Sequence, residues 1–409
     1  MPQQPPPLIV FDDDPESLSP MTDLRASFEV RTGALTTLER IEHALGRDAA
    51  AVWTSDGLAG LASERLDVAV NELPAGDALL LVSARCALPP EAIGELKVGE
   101  ALREAGGGEL VAAHLARADA ERFLKAGGKA GALPRGLKSV EQKERCMLRH
   151  PCDVIRLRDA AIAMDLALFA DEEQVEGLGP GVAILGDHHV AVDPTAEICP
   201  LVTLDAQGGP IVIGPDAVVR PGAVICGPAY IGAGSTIVDR AHIKANTAIG
   251  PVCKIGGEVG GTIFQGFSNK AHDGHLGDSW VGEWVNFGAG TTNSNLLNTY
   301  GEVMMQSSAK AKRVRTGMTF LGAVVGDHAK FAIGTRLMTG AVIGTGAMVA
   351  VSGFAPATVE AFAWWTDAGE KRYRMEKFLI AMEAMMGRRD MDATGRYVER
   401  VKGLGDRAG

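Results

Sequence analysis

The 409-residue sequence has no apolar run of 18 or more residues, so no segment reads as a membrane span. It has no excess of positive charge: the formal net charge is −11 and the pI about 5.4, which argues against the basic face of a nucleic-acid binder. Met1 to Pro7 is polar and proline-rich and lacks the basic start and apolar core of a secretory signal. The six cysteines, Cys86, Cys146, Cys152, Cys199, Cys226 and Cys253, form no CxxC pair, which leaves neither a zinc signature nor a compact disulfide framework. They read as reduced, mostly buried thiols of a cytoplasmic protein. What remains is a chain 46% apolar and 22% charged, ordinary for a globular protein of two or three domains. Its 51 glycines recur at fixed places within one half of the chain.

That half carries an internal period. From Ile213, steps of six give Val219, Ile225, Ile231, Ile237, Ile243, Ile249 and Ile255, all β-branched aliphatics. Turn residues follow, as in Ile213-Gly214-Pro215-Asp216 and Ile231-Gly232-Ala233-Gly234. The step persists at Val281 and Phe287 and again at Val325, Phe331, Leu337, Ile343 and Val349. A helix needs a period of 3.6 and an ordinary strand a period of 2. A period of six fits a solenoid in which each hexad is a short strand and a turn, three hexads close a triangular coil, and stacked coils share one core. Two interruptions stand out: Gly256 to Ser279, where the step lapses, and Thr292 to Phe320, a polar stretch able to leave the coil as a loop or hairpin arm.

Residues 1–175 alternate strand-like and helix-like segments, the order of an α/β layer domain. Leu8 to Phe11 and Ala78 to Val82 read as strands; Ala34 to Leu45 and Ile93 to Ala105 read as helices. Val154 to Phe169 reads as a connecting helix, with a linker at Glu172 to Pro180. Residues 181–355 hold the solenoid and 356–409 a helical tail. In that tail Met375, Phe378, Leu379, Met382 and Met386 recur at helical spacing between Glu370 and Arg389, as a packing face would. The basic cluster Lys371, Arg372, Arg374 and Lys377 reads as a solvated helix face, with contact to the phosphates of a ligand as the alternative.

Several stretches together carry a family resemblance: Phe11-Asp12-Asp13 with the following Pro20-Met21-Thr22, His272-Asp273-Gly274, GEWVNFGAGTTNSNL from Gly282, and TGMTFLGAVVGDHAK from Thr316. The chain resembles the GlmU family, bifunctional N-acetylglucosamine-1-phosphate uridyltransferases and glucosamine-1-phosphate acetyltransferases, and a GlmU-like group described as sugar nucleotidyltransferases. The resemblance is specific from Ile211 to about Gly353 and weaker, though colinear, over the first 175 residues. It implies a left-handed parallel β-helix, a homotrimer with active sites between subunits, and acetyl-CoA as co-substrate.

The family's general base falls on His272. A base titrating near neutrality suits removal of a proton from a sugar amine as it attacks a thioester. Arg220 matches the arginine that holds the sugar phosphate, for which a guanidinium fork is suited. Asn286 and Asn295 match asparagines that contact the sugar and orient its amine. The Ala289 N–H matches the oxyanion donor, and Thr335 a serine near the acyl-CoA thioester. Read without the resemblance, Asn286, Asn295 and Thr335 could equally be corner residues of the solenoid.

There are departures. His275 replaces a tyrosine beside the sugar phosphate, and lysines expected there fall on Gly260 and near Phe320; Lys254, Lys270, Lys312, Arg313 or Arg315 are the available substitutes. Ser294 stands where the family has a cysteine, which favours direct transfer over a covalent route. The first strand runs into Phe11-Asp12-Asp13-Asp14-Pro15-Glu16 with no glycine before Gly33, so the Gly-rich loop that cradles nucleotide phosphates is missing. Leu81-Val82-Ser83-Ala84-Arg85 stands where a Mg-binding aspartate belongs. Asp12 to Asp14 read as a solvated loop, and Mg²⁺ is expected only if this domain is active.

The expectation is therefore an acyl-CoA-dependent N-acetyltransferase acting on an amino-sugar phosphate such as glucosamine-1-phosphate, in the synthesis of a sugar nucleotide such as UDP-GlcNAc. It is joined to a degenerate nucleotidyltransferase-like domain. The alternatives are a sugar-1-phosphate nucleotidyltransferase, then bifunctional, and a non-catalytic trimeric sugar-nucleotide-binding or scaffold protein.

Overall fold

The computed structural model describes residues 5–170 and 178–407. Two compact units emerge. One comprises the chain up to Leu18, Leu24–Val30 and Leu35–Asp153; the other comprises Ser19–Asp23, Arg31–Ala34 and Val154 onward. The linker expected at Glu172 to Pro180 lies largely outside the described residues.

The first unit is built on a seven-stranded sheet. Its strands are β1 (Leu8–Phe11), β2 (Ala51–Trp53), β3 (Ala69–Val70), β4 (Ala78–Ser83), β5 (Glu100–Glu104), β6 (Leu110–Ala116) and β7 (Lys138–Gln142), in the order β3-β2-β1-β4-β6-β5-β7. β1 lies parallel between β2 and β4. Covered on both faces, β1 is buried throughout and β4 nearly so, which is why both read as unbroken apolar runs. Helix α1 (Thr37–Leu45) starts three residues later than expected. Thr36 caps it reciprocally with Glu39, and Gly46 ends it in the left-handed conformation. The helix expected over Ile93 to Ala105 is absent. A 3₁₀ turn at Glu91–Ile93 is followed by β5, which pairs with β6 and β7. Two strand partners outweigh a helical apolar spacing, and Gly99, at φ 88°, breaks the segment. Two further helices, α2 (Asp56–Arg65) and α3 (Arg117–Lys125), complete the first unit, and the connecting helix α4 (Asp153–Leu166) opens the long segment of the second.

The second unit is a left-handed parallel β-helix whose coils stack into a ten-, a six- and a nine-stranded sheet, the six-stranded face being continued by the pair Thr292–Asn293 with Arg336–Leu337. Val219 pairs with Ile237 and Ile237 with Ile255, each three hexads on, so every hexad aliphatic points into one lumen. The coil does not stop over Gly256 to Ser279. Glu258–Gly260, Ile263–Phe264, Asn269–Lys270 and His275–Gly277 take the next places in the three sheets. Only the hexads shorten, so the step of six lapses while the stack continues. Thr292 to Phe320 does leave the coil: after Thr292–Asn293 it forms an antiparallel hairpin, Met304–Met305 with Val314–Arg315, and Leu321 rejoins through a 2.9 Å bond to the Asn295 carbonyl.

At one corner, Phe267, Trp284 and His328 have φ of 52°, 60° and 60°. Their rings stack in a column, with centroids 4.7 and 6.3 Å apart. The ten-stranded sheet ends in a hairpin, Ala363–Thr366 with Gly369–Arg372, followed by α5 (Met375–Gly387) and α6 (Gly395–Arg407). The tail helix thus begins at Met375 rather than Glu370, because Glu370–Arg372 are held as a strand. Phe378, Met382 and Met386 are buried, as expected of a packing face.

Candidate functional site

A concavity of about 1040 Å³ in the second unit follows the corner at which the chain leaves the ten-stranded sheet. Each successive coil contributes one rung: Pro221-Gly222, Asp239-Arg240, Gly257, His272-Asp273, Ala289-Gly290 and Ile333-Gly334. His272 is exposed in this groove. Its turn packs directly on the next coil: the Gly290 N–H donates to the Asp273 carbonyl at 3.1 Å. A Cβ at Gly274 would lie 2.1 Å from the Thr291 carbonyl oxygen, so no other residue fits there. The Ala289 N–H has no hydrogen-bond partner among the described residues and stands on the rung beside His272. The amides of Asp239 and Ile333 on the same corner are likewise open, so openness belongs to the corner and its usefulness to the neighbour.

Beneath the groove two inward positions break the aliphatic rule. Lys270 takes the place that Ile255 and Phe287 hold in adjoining coils, and is 2% exposed. Its ammonium donates to the carbonyls of Gly256 and His272, both at 3.0 Å, and so fixes the base of the His272 turn. Burial lowers the Lys270 amine to about 8, against the opposing pull of Asp273 and Glu258. Asn293 is the second polar inward residue; its side chain accepts from the Gly277 N–H at 2.8 Å and donates to the Gly277 carbonyl at 2.9 Å.

The other expected residues flank the groove. Asn286 stands on the outer face of the ten-stranded sheet, accepting from Asn269 at 2.9 Å. His275 stands on the outer face of the six-stranded sheet, 3.4 Å from the Glu258 carboxylate. His275 and Asn295 converge over Gly277, where a Cβ would meet the His275 Nε2 at 2.6 Å and the Asn295 Nδ2 at 2.8 Å. Asn295 donates to Asp278 Oδ2 at 2.7 Å, and Asp278 Oδ1 receives Arg158 of α4 at 2.6 Å. A carboxylate can only accept, so Nδ2 must face it, and Asn295 Oδ1 is left without a donor among the described residues. Neither Asp278 nor Arg158 was foreseeable as a partner of Asn295, since α4 reaches the coil only through the fold.

Arg220 is exposed and 3.6 Å from Asp239. It is three coils before His272, roughly 14 Å along the stack at the usual strand spacing. Thr335 is fully buried and its hydroxyl donates to the Ala332 carbonyl at 2.8 Å; its neighbours Ile333 and Gly334 line the groove instead. Of the substitute cations, Lys254 is exposed on the ten-stranded sheet, and Lys312, Arg313 and Arg315 lie on the hairpin arm, Arg315 paired with Glu302 at 2.6 Å. Lys244, not singled out from sequence, fills the room at Gly260. A Cβ there would lie 3.0 Å from the Lys244 Cβ, and its ammonium pairs with Glu258, holding that carboxyl below its ordinary range.

In the first unit the chain reverses direction across the sheet between β1 and β4, where ligands of open α/β sheets bind at the strands' carboxyl ends. Asp12 and Asp13 stand there, but not as the solvated loop expected. Asp12 is buried and accepts from the Ser27 N–H at 3.0 Å and the Ser27 hydroxyl at 2.8 Å; burial pushes its carboxyl up to about 6. Asp13 is clasped by Arg85 at 2.8 Å through Nε and 2.5 Å through Nη2, and Arg85 also meets Glu109 at 3.0 Å. A guanidinium thus takes the carboxylate that Mg²⁺ would need, and the donor set does not fit that ion.

Residues 8–174 match the sugar nucleotidyl transferase family. A bifunctional sugar-1-phosphate nucleotidylyltransferase/acetyltransferase of Sulfurisphaera tokodaii is 35% identical over 143 residues, 34% of this chain and 35% of that protein. Bifunctional GlmU proteins of Nostoc sp. and Rippkaea orientalis are 30% and 25% identical over 158 and 176 residues; the matches cover 34% and 38% of this chain and the same shares of theirs. The chain therefore spans little more than a third of the length of these relatives. Among solved structures, the polySia-specific acetyltransferase NeuO overlaps 47% of this chain and 85% of its own, at 10% identity and a TM-score of 0.27. The first part of the chain thus matches the sugar nucleotidyl transferase family, and bifunctional GlmU proteins are among the sequence relatives of the chain.

Proposed function

We propose that the protein is an acyl-CoA-dependent N-acetyltransferase acting on an amino-sugar phosphate such as glucosamine-1-phosphate, as a cytoplasmic homotrimer. The observation that carries this reading is the pairing, on adjacent rungs of one groove, of an exposed His272 with an unpartnered Ala289 N–H. In the proposed reaction the acceptor amine attacks the carbonyl carbon of acetyl-CoA. His272 takes the amine proton and the Ala289 N–H receives the developing oxyanion. The intermediate collapses by breaking the C–S bond, and the CoA thiolate leaves with that proton. Asn295, through Oδ1, accepts an amine N–H and directs the nitrogen lone pair. His275 and Asn286 contact the sugar phosphate and sugar ring, and Thr335 supports the thioester rung, whereas Arg220, three coils away, lies too far along the stack to reach the same phosphate. Lys244 supplies the cation that the resemblance expects at Gly260, although its pairing with Glu258 weakens that call on phosphate.

A sugar-1-phosphate nucleotidyltransferase activity is the less favoured reading, because Arg85 occupies the crevice end of β4 and no Gly-rich loop follows β1. The reading is tested by CoA thiol release from acetyl-CoA with glucosamine-1-phosphate, in the wild type and in His272→Ala. Release in the wild type that is lost in a folded His272→Ala protein supports it. No release with glucosamine-1-phosphate or any of a panel of amino sugars overturns it.

A further inference from the structure

A second concavity, about 700 Å³, is framed by the C-terminal hairpin and the start of α5. We infer that it is a nucleotide site, which stacks a base on Trp364 and holds phosphates with Lys371, Arg374 and Lys377.

The hairpin register creates its character. Trp364 lies opposite Lys371, and Trp365 opposite Glu370. Alternation sends the first pair to one face and the second to the other. Trp365 packs against the lumen core and carries Glu370 to the far face, while Trp364 stays 38% exposed beside Lys371. Every charged residue lining the pocket is a cation, in a chain of formal net charge −11. Lys371, Arg374 and Lys377 have no carboxylate partner among the described residues. Arg372 is committed elsewhere, to the Gly405 carbonyl. Strand register sends Glu370 to the far face, and the neighbouring acid, Glu376 in the first turn of α5, does not line the concavity.

The aromatic wall is also braced. Tyr373 is buried, with its ring centroid 5.0 Å from that of Trp364 at 64°, so the indole is backed edge to face and its other surface is offered outward. α5 is 13 residues long and begins at Met375, adding the positive end of its dipole next to the same cations. The volume is of the size that small-molecule sites use. A ring that stacks, together with two or more phosphate charges, satisfies the wall and the cations at once. Two sources offer that chemistry, the phosphoadenosine end of an acyl-CoA and a free or sugar-linked nucleoside diphosphate.

The inference does not depend on the acyl-transfer reading, because its readout is binding. Isothermal titration of the full chain would use adenosine 3′,5′-bisphosphate, UDP and inorganic pyrophosphate as probes. At least one nucleotide is expected to bind, with affinity falling as salt rises. Lys371→Gln combined with Lys377→Gln is expected to weaken it about tenfold or more. Trp364→Leu is expected to weaken the nucleotide by about tenfold while leaving pyrophosphate unchanged. Tighter binding of the bisphosphate assigns the site to acyl-CoA, and tighter binding of UDP assigns it to a sugar nucleotide. No nucleotide binding, unchanged affinity in the folded double variant, or pyrophosphate binding as tightly as both nucleotides would overturn it.

Discussion

The two places where this chain should meet a ligand differ in how their polar groups are spent. At the β1–β4 crevice, Asp13, Arg85 and Glu109 satisfy one another, and Asp12 is satisfied by Ser27. At the groove of the β-helix, structural polar groups sit below the surface and the chemical ones remain open. Lys270 and Asn293 spend themselves on backbone, whereas His272, the Ala289 N–H and Asn295 Oδ1 face outward. A crevice whose charges are internally neutralised offers a charged substrate little; a groove whose supports are buried and whose acceptors are free offers it a great deal. The difference is in the allocation of partners, not in the residue types present.

The sharpest way to break the comparison is to remove the open histidine and, separately, the closed arginine. His272→Ala is expected to lower acetyl transfer by about 10²–10⁴-fold, the range for loss of a general base. Arg85→Ala is expected to leave that rate unchanged while destabilising the first unit. Arg85 is buried beside two carboxylates, so its loss leaves buried uncompensated charge, at a cost of about 3–5 kcal/mol. Urea titration followed by circular dichroism measures this as an earlier first transition. A loss below about 1 kcal/mol would mean that the pair does not seal the crevice.

Lys270 tests whether the buried support is as costly as its position implies. Its amine is lowered to about 8 from 10.5, chiefly by burial. Between those values the unfolded chain holds a proton that the folded chain has released, so stability rises as pH climbs through that window, by at most roughly 3 kcal/mol. Lys270→Met should lack this rise. Thermal or urea unfolding of both proteins between pH 7.5 and about 10.5 reads the difference. Parallel curves would show that the ammonium is not enclosed.

Much of the β-helix was legible because its rule is local: an inward aliphatic every six residues, seen directly in the sequence. The same rule hid the site's support. Lys270 obeys the step from Phe264 to Leu276, but shortened hexads upstream break the count, so its inward direction emerges only from pairing with Ile255. His272 and Ala289 were legible through the motif around them. Lys244 over Gly260 and Arg158 behind Asp278 were not, because each depends on a coil or helix distant in sequence. β5 was misread because Ala101 and Leu102 fit a helical stripe equally well, and only β6 and β7 decide between the two.

The smallest expected effect concerns the hold on Asn295, and it separates positioning from packing. Asp278 has a positive φ of 46°, which asparagine tolerates as well as aspartate, so Asp278→Asn preserves the turn. It changes the polarity of the chain of bonds. The new amide oxygen must still accept from Arg158, so the new NH₂ faces Asn295 and turns that amide over. Asn295 would then present donors to an amine that also donates. Binding of the sugar is little affected by this inversion, but the lone pair loses its guide. The expected result is a fall in kcat of about tenfold with KM nearly unchanged, the pattern of an interaction realised in the transition state. Arg158→Lys, which keeps the charge on Asp278, should retain most of the rate. A rise in KM with constant kcat would place Asn295 in ground-state sugar binding alone, and equal loss of activity and stability in both variants would reduce the Arg158–Asp278–Asn295 series to packing.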